Sequence, residues 1–125
     1  MTRNILVIDD ELDIREVVCL CLEEFGGWRT DNAGSGAEGL KKAQANPWDC
    51  ILLDISMPDI DGVAVYEQLQ ANPKTQKIPV VLLTAKVLSA DRDRFNALGV
   101  AGVIAKPFDP ITVWQQVAQT LGWAT

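Results

Sequence analysis

The sequence predicts an α/β fold: a doubly wound, parallel, five-stranded sheet with five helices on its two faces. Three observations carry this. Short apolar runs recur along the chain, and each is followed by a stretch whose apolar residues repeat near helical spacing. Several runs are apolar at every position, the mark of strands buried on both faces. Five β-then-α units follow one another without a linker, low-complexity segment or internal repeat, the pattern of a parallel sheet covered by helices. At 125 residues the chain has the length of one domain, enough to bury roughly two-thirds of its extended surface.

Ile5-Leu6-Val7-Ile8 is a buried strand halted by Asp9-Asp10. Leu12, Val17, Leu20 and Phe25 recur near helical spacing until Gly26-Gly27 breaks the helix. Trp28 to Asn32 is a more polar strand, which suits a sheet edge. Ser35 and Glu38 form a capping box that opens a second helix, ending near Asn46-Pro47. Cys50 to Leu53 is the next buried strand and stops at Asp54. After the loop Pro58 to Gly62, a third helix spans Val63 to Gln70. Pro79 to Leu83 is a fourth strand with proline at its first position, where the missing N–H does least harm. Ser89 caps a helix that reaches Leu98 and stops at Gly99. Val100 to Ala105 supplies the fifth strand, and Asp109-Pro110 gives an N-cap and first helical residue for a last helix to Leu121-Gly122. These units fill residues 1–125 as a single domain and leave no room for an output domain.

Acidic residues outnumber basic ones 17 to 11, for a net charge of −6 and a pI near 4.5. Such a surface repels phosphate backbones and anionic lipid, so neither nucleic acid nor membrane is expected as a partner. No apolar run approaches the ~18 residues of a membrane span. Met1 to Asn4 leads straight into a strand without the long apolar region of a signal peptide, which places the protein in the cytoplasm. Histidine is absent, and with it Ser-His-Asp or Cys-His catalysis, imidazole metal sites and a phosphocarrier histidine. Cys19 and Cys21 lie roughly 200° apart around a helix. Cys50 is remote and no CxxC exists, so the thiols read as small core side chains in a reducing compartment.

The polar residues collect where strands end, the side of an open α/β sheet that binds ligands. Asp9 and Asp10 end the first strand, Asp54 the third, Thr84 the fourth and Lys106 the fifth. Two carboxylates ~4 Å apart repel by about 4 kcal/mol at an effective dielectric of 20. A hard divalent cation offsets this, and Mg²⁺ suits one or two carboxylates, waters and a phosphate oxygen. Zinc is disfavoured, since neither imidazole nor thiolate reaches that rim. A carboxylate beside such a cation can attack phosphorus to give an acyl phosphate, with the lysine neutralising phosphoryl charge and the threonine donating to it. Asp54, on a strand expected to be central, is the nucleophile of choice.

Asp9-Asp10, Asp54-Ile55-Ser56-Met57-Pro58 with Asp61-Gly62, Thr84-Ala85 and Lys106-Pro107-Phe108, in this order and spacing, resemble the receiver domains of two-component response regulators over essentially the entire chain. The resemblance implies a stand-alone, chemotaxis-regulator-like receiver with the flavodoxin-like strand order 2-1-3-4-5. It implies that Asp54 accepts phosphate from the phosphohistidine of a sensor histidine kinase or histidine phosphotransfer protein. By the same resemblance, Asp10, Asp54 and the Ser56 backbone carbonyl bind Mg²⁺ (or Mn²⁺ in its place), Asp9 acts largely through water, and Thr84 and Lys106 contact the phosphoryl group. The chain would be no enzyme beyond self-directed phosphotransfer and autodephosphorylation, and would signal through a downstream protein. Ser56 and Lys86 stand where such domains tune acyl-phosphate hydrolysis, and the Lys106–Pro107 bond would be cis. One departure is Val103, where similar domains often carry Tyr or Phe. A short, stiff β-branched side chain cannot swing as an aromatic ring does. The alternative reading is a degenerate receiver that docks independently of phosphorylation.

Gly34-Ser35-Gly36-Ala37-Glu38-Gly39 is a literal GxGxxG, yet the polar edge strand before it argues against a dinucleotide site, and the capping box accounts for it. The last helix carries Val113, Val117 and Leu121 on one stripe and Ile111, Trp114 and Ala118 on a second. That second stripe is expected either to widen the core face or to form an interaction surface for a target or a homodimer, on the side of the fourth helix, fifth strand and fifth helix.

Overall fold

The computed structural model describes residues 2–55, 62–84, 89–106 and 108–123. Strands and helices alternate as β1 (Asn4–Ile8), α1 (Leu12–Gly26), β2 (Arg29–Ala33), α2 (Gly36–Ala45), β3 (Cys50–Asp54), α3 (Gly62–Ala71), β4 (Val80–Thr84), α4 (Ser89–Leu98), β5 (Gly102–Ala105) and α5 (Val113–Leu121). All strand pairs are parallel, in the order β2-β1-β3-β4-β5, so β3 is central and the polar β2 is an edge.

The alternation of side chains along each strand divides the core into two layers. Leu6, Ile8, Ile51, Leu53 and Leu82 point to one face, where Ala43, Val65, Tyr66, Leu69 and Phe95 of α2, α3 and α4 cover them. Ile5, Val7, Cys50, Leu52, Val81, Leu83 and Ile104 point to the other, beneath Val18, Cys19 and Leu22 of α1 and Val113 and Val117 of α5. This is why β1, β3 and β4 are apolar at consecutive positions. Each such side chain contributes about 2 kcal/mol through burial.

Helix ends follow local chemistry. Gly27 adopts a left-handed φ of 69°, and α1 closes as its N–H donates to the Glu23 carbonyl (3.1 Å) and the Trp28 N–H to that of Leu22 (3.3 Å). Gly122, with a φ of 71°, closes α5 in a similar way, its N–H donating to the Gln119 carbonyl and the Trp123 N–H to that of Ala118. Ser35 Oγ accepts from the Glu38 N–H (3.1 Å), while the Glu38 carboxylate reaches one residue further than an ideal capping box, to the Gly34 N–H (2.8 Å).

Three expectations shift. The fifth strand pairs from Gly102, opposite Val81, and just before it the Ala101 N–H donates to the Val80 carbonyl of β4 at 2.8 Å. The last helix begins at Val113. Asp109 Oδ1 does accept from the Ile111 N–H (3.0 Å), but it caps a separate turn, since Thr112 at ψ −3° interrupts the helical path. In α1 the residues whose spacing signalled a helix, Leu12, Val17, Leu20 and Phe25, are the exposed ones, at 43–62% exposure. The sheet is covered by Ile14, Val18, Cys19 and Leu22, so this helix is apolar on both sides. No helix among the described residues is long and apolar enough to cross a membrane.

Candidate functional site

Four adjacent strands deliver the predicted polar groups to one rim. Asp9 follows β1, Asp54 ends β3 opposite Leu83, Thr84 ends β4 opposite Ala105, and Lys106 follows β5. Asp9, Asp10 and Asp54 each offer a carboxylate oxygen within 4.8 Å of the others. Asp9, Asp54 and Thr84 are buried, while Asp10 is the most open of the three carboxylates.

A fully buried Asp9 is tolerable only because its polar atoms are all engaged. Its N–H donates to the Ala33 carbonyl (3.1 Å) and its own carbonyl accepts from Arg15 Nη1 (2.9 Å). Oδ1 accepts from the Glu11 N–H (2.9 Å), which supplies the N-terminal cap that the Glu11 side chain does not give α1. Oδ2 accepts from Lys106 Nζ (3.2 Å). The same ammonium lies 3.4 Å from Asp54 Oδ2 and 4.0 Å from Glu11 Oε1. Burial alone would lower the Lys106 pKa. The attraction of Asp9 and Asp54, with their hydrogen bonds, outweighs it and holds the ammonium above its ordinary value.

Three carboxylates against one ammonium leave two negative charges in the cluster. An all-oxygen donor set of that charge, partly open through Asp10, fits Mg²⁺ with retained waters and does not fit zinc. Each of Asp9, Asp10 and Asp54 could offer an oxygen to such an ion, although both oxygens of Asp9 are already engaged, by the Glu11 N–H and Lys106.

Ser56, Lys86 and the Lys106–Pro107 bond lie outside the described residues. Gly62 is within them and explains its place in the motif. A Cβ there would stand 2.3 Å from the Ile55 Cα and 2.7 Å from the Asp54 carbonyl, and the Gly62 N–H donates to the Ile55 carbonyl (3.2 Å). Val103 is half-buried against the layer that holds Tyr66, Phe95 and Leu98. Tyr66 of that layer donates its hydroxyl to the Leu98 carbonyl at the end of α4 (3.0 Å).

Of the two expectations for the second stripe of the last helix, burial favours the wider core face. Ala118 is fully buried, and Trp114 is half-buried, its ring edge-to-face with Trp28 at 6.2 Å. Only Ile111 is exposed, at 54%. The reason is that α5 packs on the sheet with one stripe and against α1 with the other, so the second stripe widens the core. The glycines of the GxGxxG segment likewise serve packing: Gly34 lies against the Arg15 guanidinium, and a Cβ at Gly39 would meet Ile8 Cδ1 at 2.5 Å.

Two residues escaped sequence reasoning. Arg15 binds a backbone carbonyl and Asn32 of another strand, and Tyr66 binds a carbonyl on another helix. Neither contact leaves a pattern along the chain.

The response regulator receiver domain model matches residues 5–118 of this chain, which belongs to that family. It is 34% identical over 107 residues to the response regulator Rre1 of Synechocystis sp., covering 86% of this chain and 46% of that protein. It is 39% identical over 113 residues to the phosphate regulon transcriptional regulatory protein PhoB of Escherichia coli, covering 88% and 48%. The chain thus spans about half the length of these curated relatives. The fold matches the chemotaxis response regulator CheY4 of Vibrio cholerae with a TM-score of 0.88 and 27% identity, over 96% of this chain and 99% of that one.

Proposed function

We propose that Asp54 is the phosphoacceptor of a two-component or phosphorelay switch. The observation that carries this is a buried carboxylate at the end of the central strand, with Lys106 Nζ at 3.4 Å and two further carboxylates beside it. An Asp54 oxygen attacks the phosphorus of a phosphohistidine, the P–N bond breaks, and its electron pair returns to the imidazole, which takes up a proton. Lys106 balances charge on the phosphoryl oxygens, and the Thr84 hydroxyl at the neighbouring strand end donates to one of them. Mg²⁺, held by Asp10, Asp54 and the Ser56 carbonyl, would supply further charge neutralisation when bound. The chain then acts on no other substrate; it carries a removable acyl phosphate whose presence alters its protein contacts. Its free thiols and acidic surface suit a cytoplasmic setting.

The donor is a histidine-bearing partner, and its surface must cover this rim for phosphorus to reach Asp54. Beside the rim lies a cavity of about 470 Å³ lined by the apolar Ile14, Val17, Val18, Phe108 and Pro110 together with Asp13 and Lys106. With exposed Leu12 and Leu20 on the same helix, it supports α1 and the segment that precedes α5 as the donor's docking face.

The test is phosphoryl incorporation from acetyl phosphate with and without Mg²⁺. The expected result is Mg²⁺-dependent labelling that Asp54→Asn abolishes. Labelling that survives in Asp54→Asn overturns the assignment of the acceptor. No labelling of the native chain favours a docking module that works without phosphorylation.

A further inference from the structure

Behind the acidic cluster, outside the groups that touch it, one cation is built into the fold. The Arg15 side chain leaves α1 and spans two elements: Nε donates to Asn32 Oδ1 on β2 (2.7 Å), and Nη1 donates to the Asp9 carbonyl (2.9 Å). Asn32 is itself held, its carbonyl accepting from Lys42 Nζ of α2 at 2.6 Å. The guanidinium plane lies against Gly34, where a Cβ would stand 3.0 Å from Nη1 and 3.4 Å from Cζ. The clamp therefore has walls on α1, β2 and the β2–α2 connection.

We infer that Arg15 is a positioning residue for the divalent-cation site, fixing the Asp9–Asp10 peptide so that Asp10 projects toward Asp54. The inference rests on the metal-binding reading of the acidic cluster. At Asp9 the chain leaves β1, and Asp10 has to be aimed before α1 begins at Leu12. The carbonyl that Arg15 holds belongs to the peptide joining Asp9 to Asp10, so the direction of that peptide sets where the Asp10 side chain starts. The Asp9 side chain is fixed separately by Glu11 and Lys106. Arg15 thus acts on Asp10 through the backbone, as outer-shell partners of metal ligands do.

Charge and position predict opposite signs, which makes the role measurable. Arg15 is a positive charge near a cation site, so a purely electrostatic role means that removing it tightens Mg²⁺ binding. A positioning role means that removing it weakens binding, by about tenfold as for other outer-shell partners. A merely structural role lowers the melting temperature and leaves the affinity of the folded protein unchanged.

The experiment is calorimetric titration of the full chain with Mg²⁺, alongside thermal melts without it. Arg15→Gln is expected to weaken binding about tenfold. Arg15→Lys keeps the charge but cannot reach both acceptors at once, and is expected to stay weak. Gly34→Ala keeps Arg15 and has no left-handed φ to strain, but its Cβ, 3.0 Å from Nη1, makes the guanidinium give by a few tenths of an ångström; it is expected to weaken binding by a smaller factor. If Arg15→Gln does not fold, Gly34→Ala decides alone. Equal or tighter binding by the folded variants overturns the inference and leaves the metal site standing. Failure of the native chain to bind Mg²⁺ overturns both.

Discussion

Lys106 donates to Asp9 at 3.2 Å across 97 residues of sequence, and the carboxylate it meets is fully buried. One ammonium thereby faces a cluster of three carboxylates, whose remaining repulsion a divalent cation would offset. Function and stability are opposed here. Neutralising the most open carboxylate, by Asp10→Asn, is expected to raise stability by about 1 kcal/mol without Mg²⁺, a few degrees in melting temperature. Mg²⁺ raises the melting temperature of the native chain by selective binding to the folded state and leaves that of Asp10→Asn nearly unmoved. Paired melts with Mg²⁺ and with chelator check both halves. A fall in stability for Asp10→Asn without metal contradicts the repulsion.

Most of the fold and nearly all of the acidic site are legible in the sequence, for a physical reason. Strands such as Cys50–Asp54 are apolar at consecutive positions because helices cover both faces, and the first polar residue marks the strand's end at the rim. Helix orientation was less legible. In α1 the spacing of Leu12, Val17 and Leu20 signalled a helix correctly but marked its solvent side, because Ile14, Val18 and Leu22 form a second apolar face. In α5 the extra stripe of Trp114 and Ala118 could not show its partner, since Trp28 lies on another helix-strand connection. Local patterns define elements; which of two apolar faces is covered depends on neighbours distant in sequence.

The packing of Trp114 on Trp28 gives it a role in folding. Trp114→Ala removes an edge-to-face contact with Trp28 and exposes the packing under Gly26, whose absent Cβ would lie 3.3 Å from that of Trp114. The expected cost is about 3 kcal/mol of folding stability. Denaturant titration should show it, with sedimentation behaviour unchanged for the folded fraction. A shift in oligomeric state without loss of stability would restore the surface role.

Gly62 offers a sign test of how tightly Asp54 is framed. In an unconstrained helix, glycine to alanine stabilises by about 1 kcal/mol. Here the added Cβ would meet backbone, 2.3 Å from Ile55 Cα, with no flexible side-chain end to move aside. Gly62→Ala is therefore expected to destabilise by about 3 kcal/mol and to slow labelling by acetyl phosphate, because the displaced backbone carries the acceptor. Unchanged melting and labelling would show that this approach can relax.

Thiol chemistry reads the packing of one core layer, between the sheet and α1 and α5, independently of phosphorylation. Cys50 is buried in β3, and burial pushes its thiol far above the ordinary range. Cys19 is also raised, chiefly by burial, although Thr30 hydrogen-bonds to it and opposes the shift. The thiolate is the reactive form, so a raised pKa suppresses reaction at mildly alkaline pH. Cys21 is only half-buried. A disulfide reagent at pH 8 is expected to modify Cys21 rapidly and the other two only as the chain unfolds. Mass mapping after a timed quench distinguishes them, and rapid native modification of Cys50 contradicts the packing.

The donor-docking face can be separated from the chemistry because a small phosphodonor needs no face. Val17 is 43% exposed and lines the cavity that Lys106 also lines, and it carries none of the polar groups of the acidic cluster. Val17→Arg places a charge in that cavity at little cost to the helix, since arginine is the better helix former. Acetyl phosphate should label the variant at the native rate. Transfer from a histidine-phosphorylated transmitter protein that labels the native chain should slow by about tenfold, the loss of some 1.4 kcal/mol of contact. Equal slowing with both donors places the defect in the phosphorylation chemistry. Equal speed with both removes this face from recognition. Only the split between donors assigns α1 to docking.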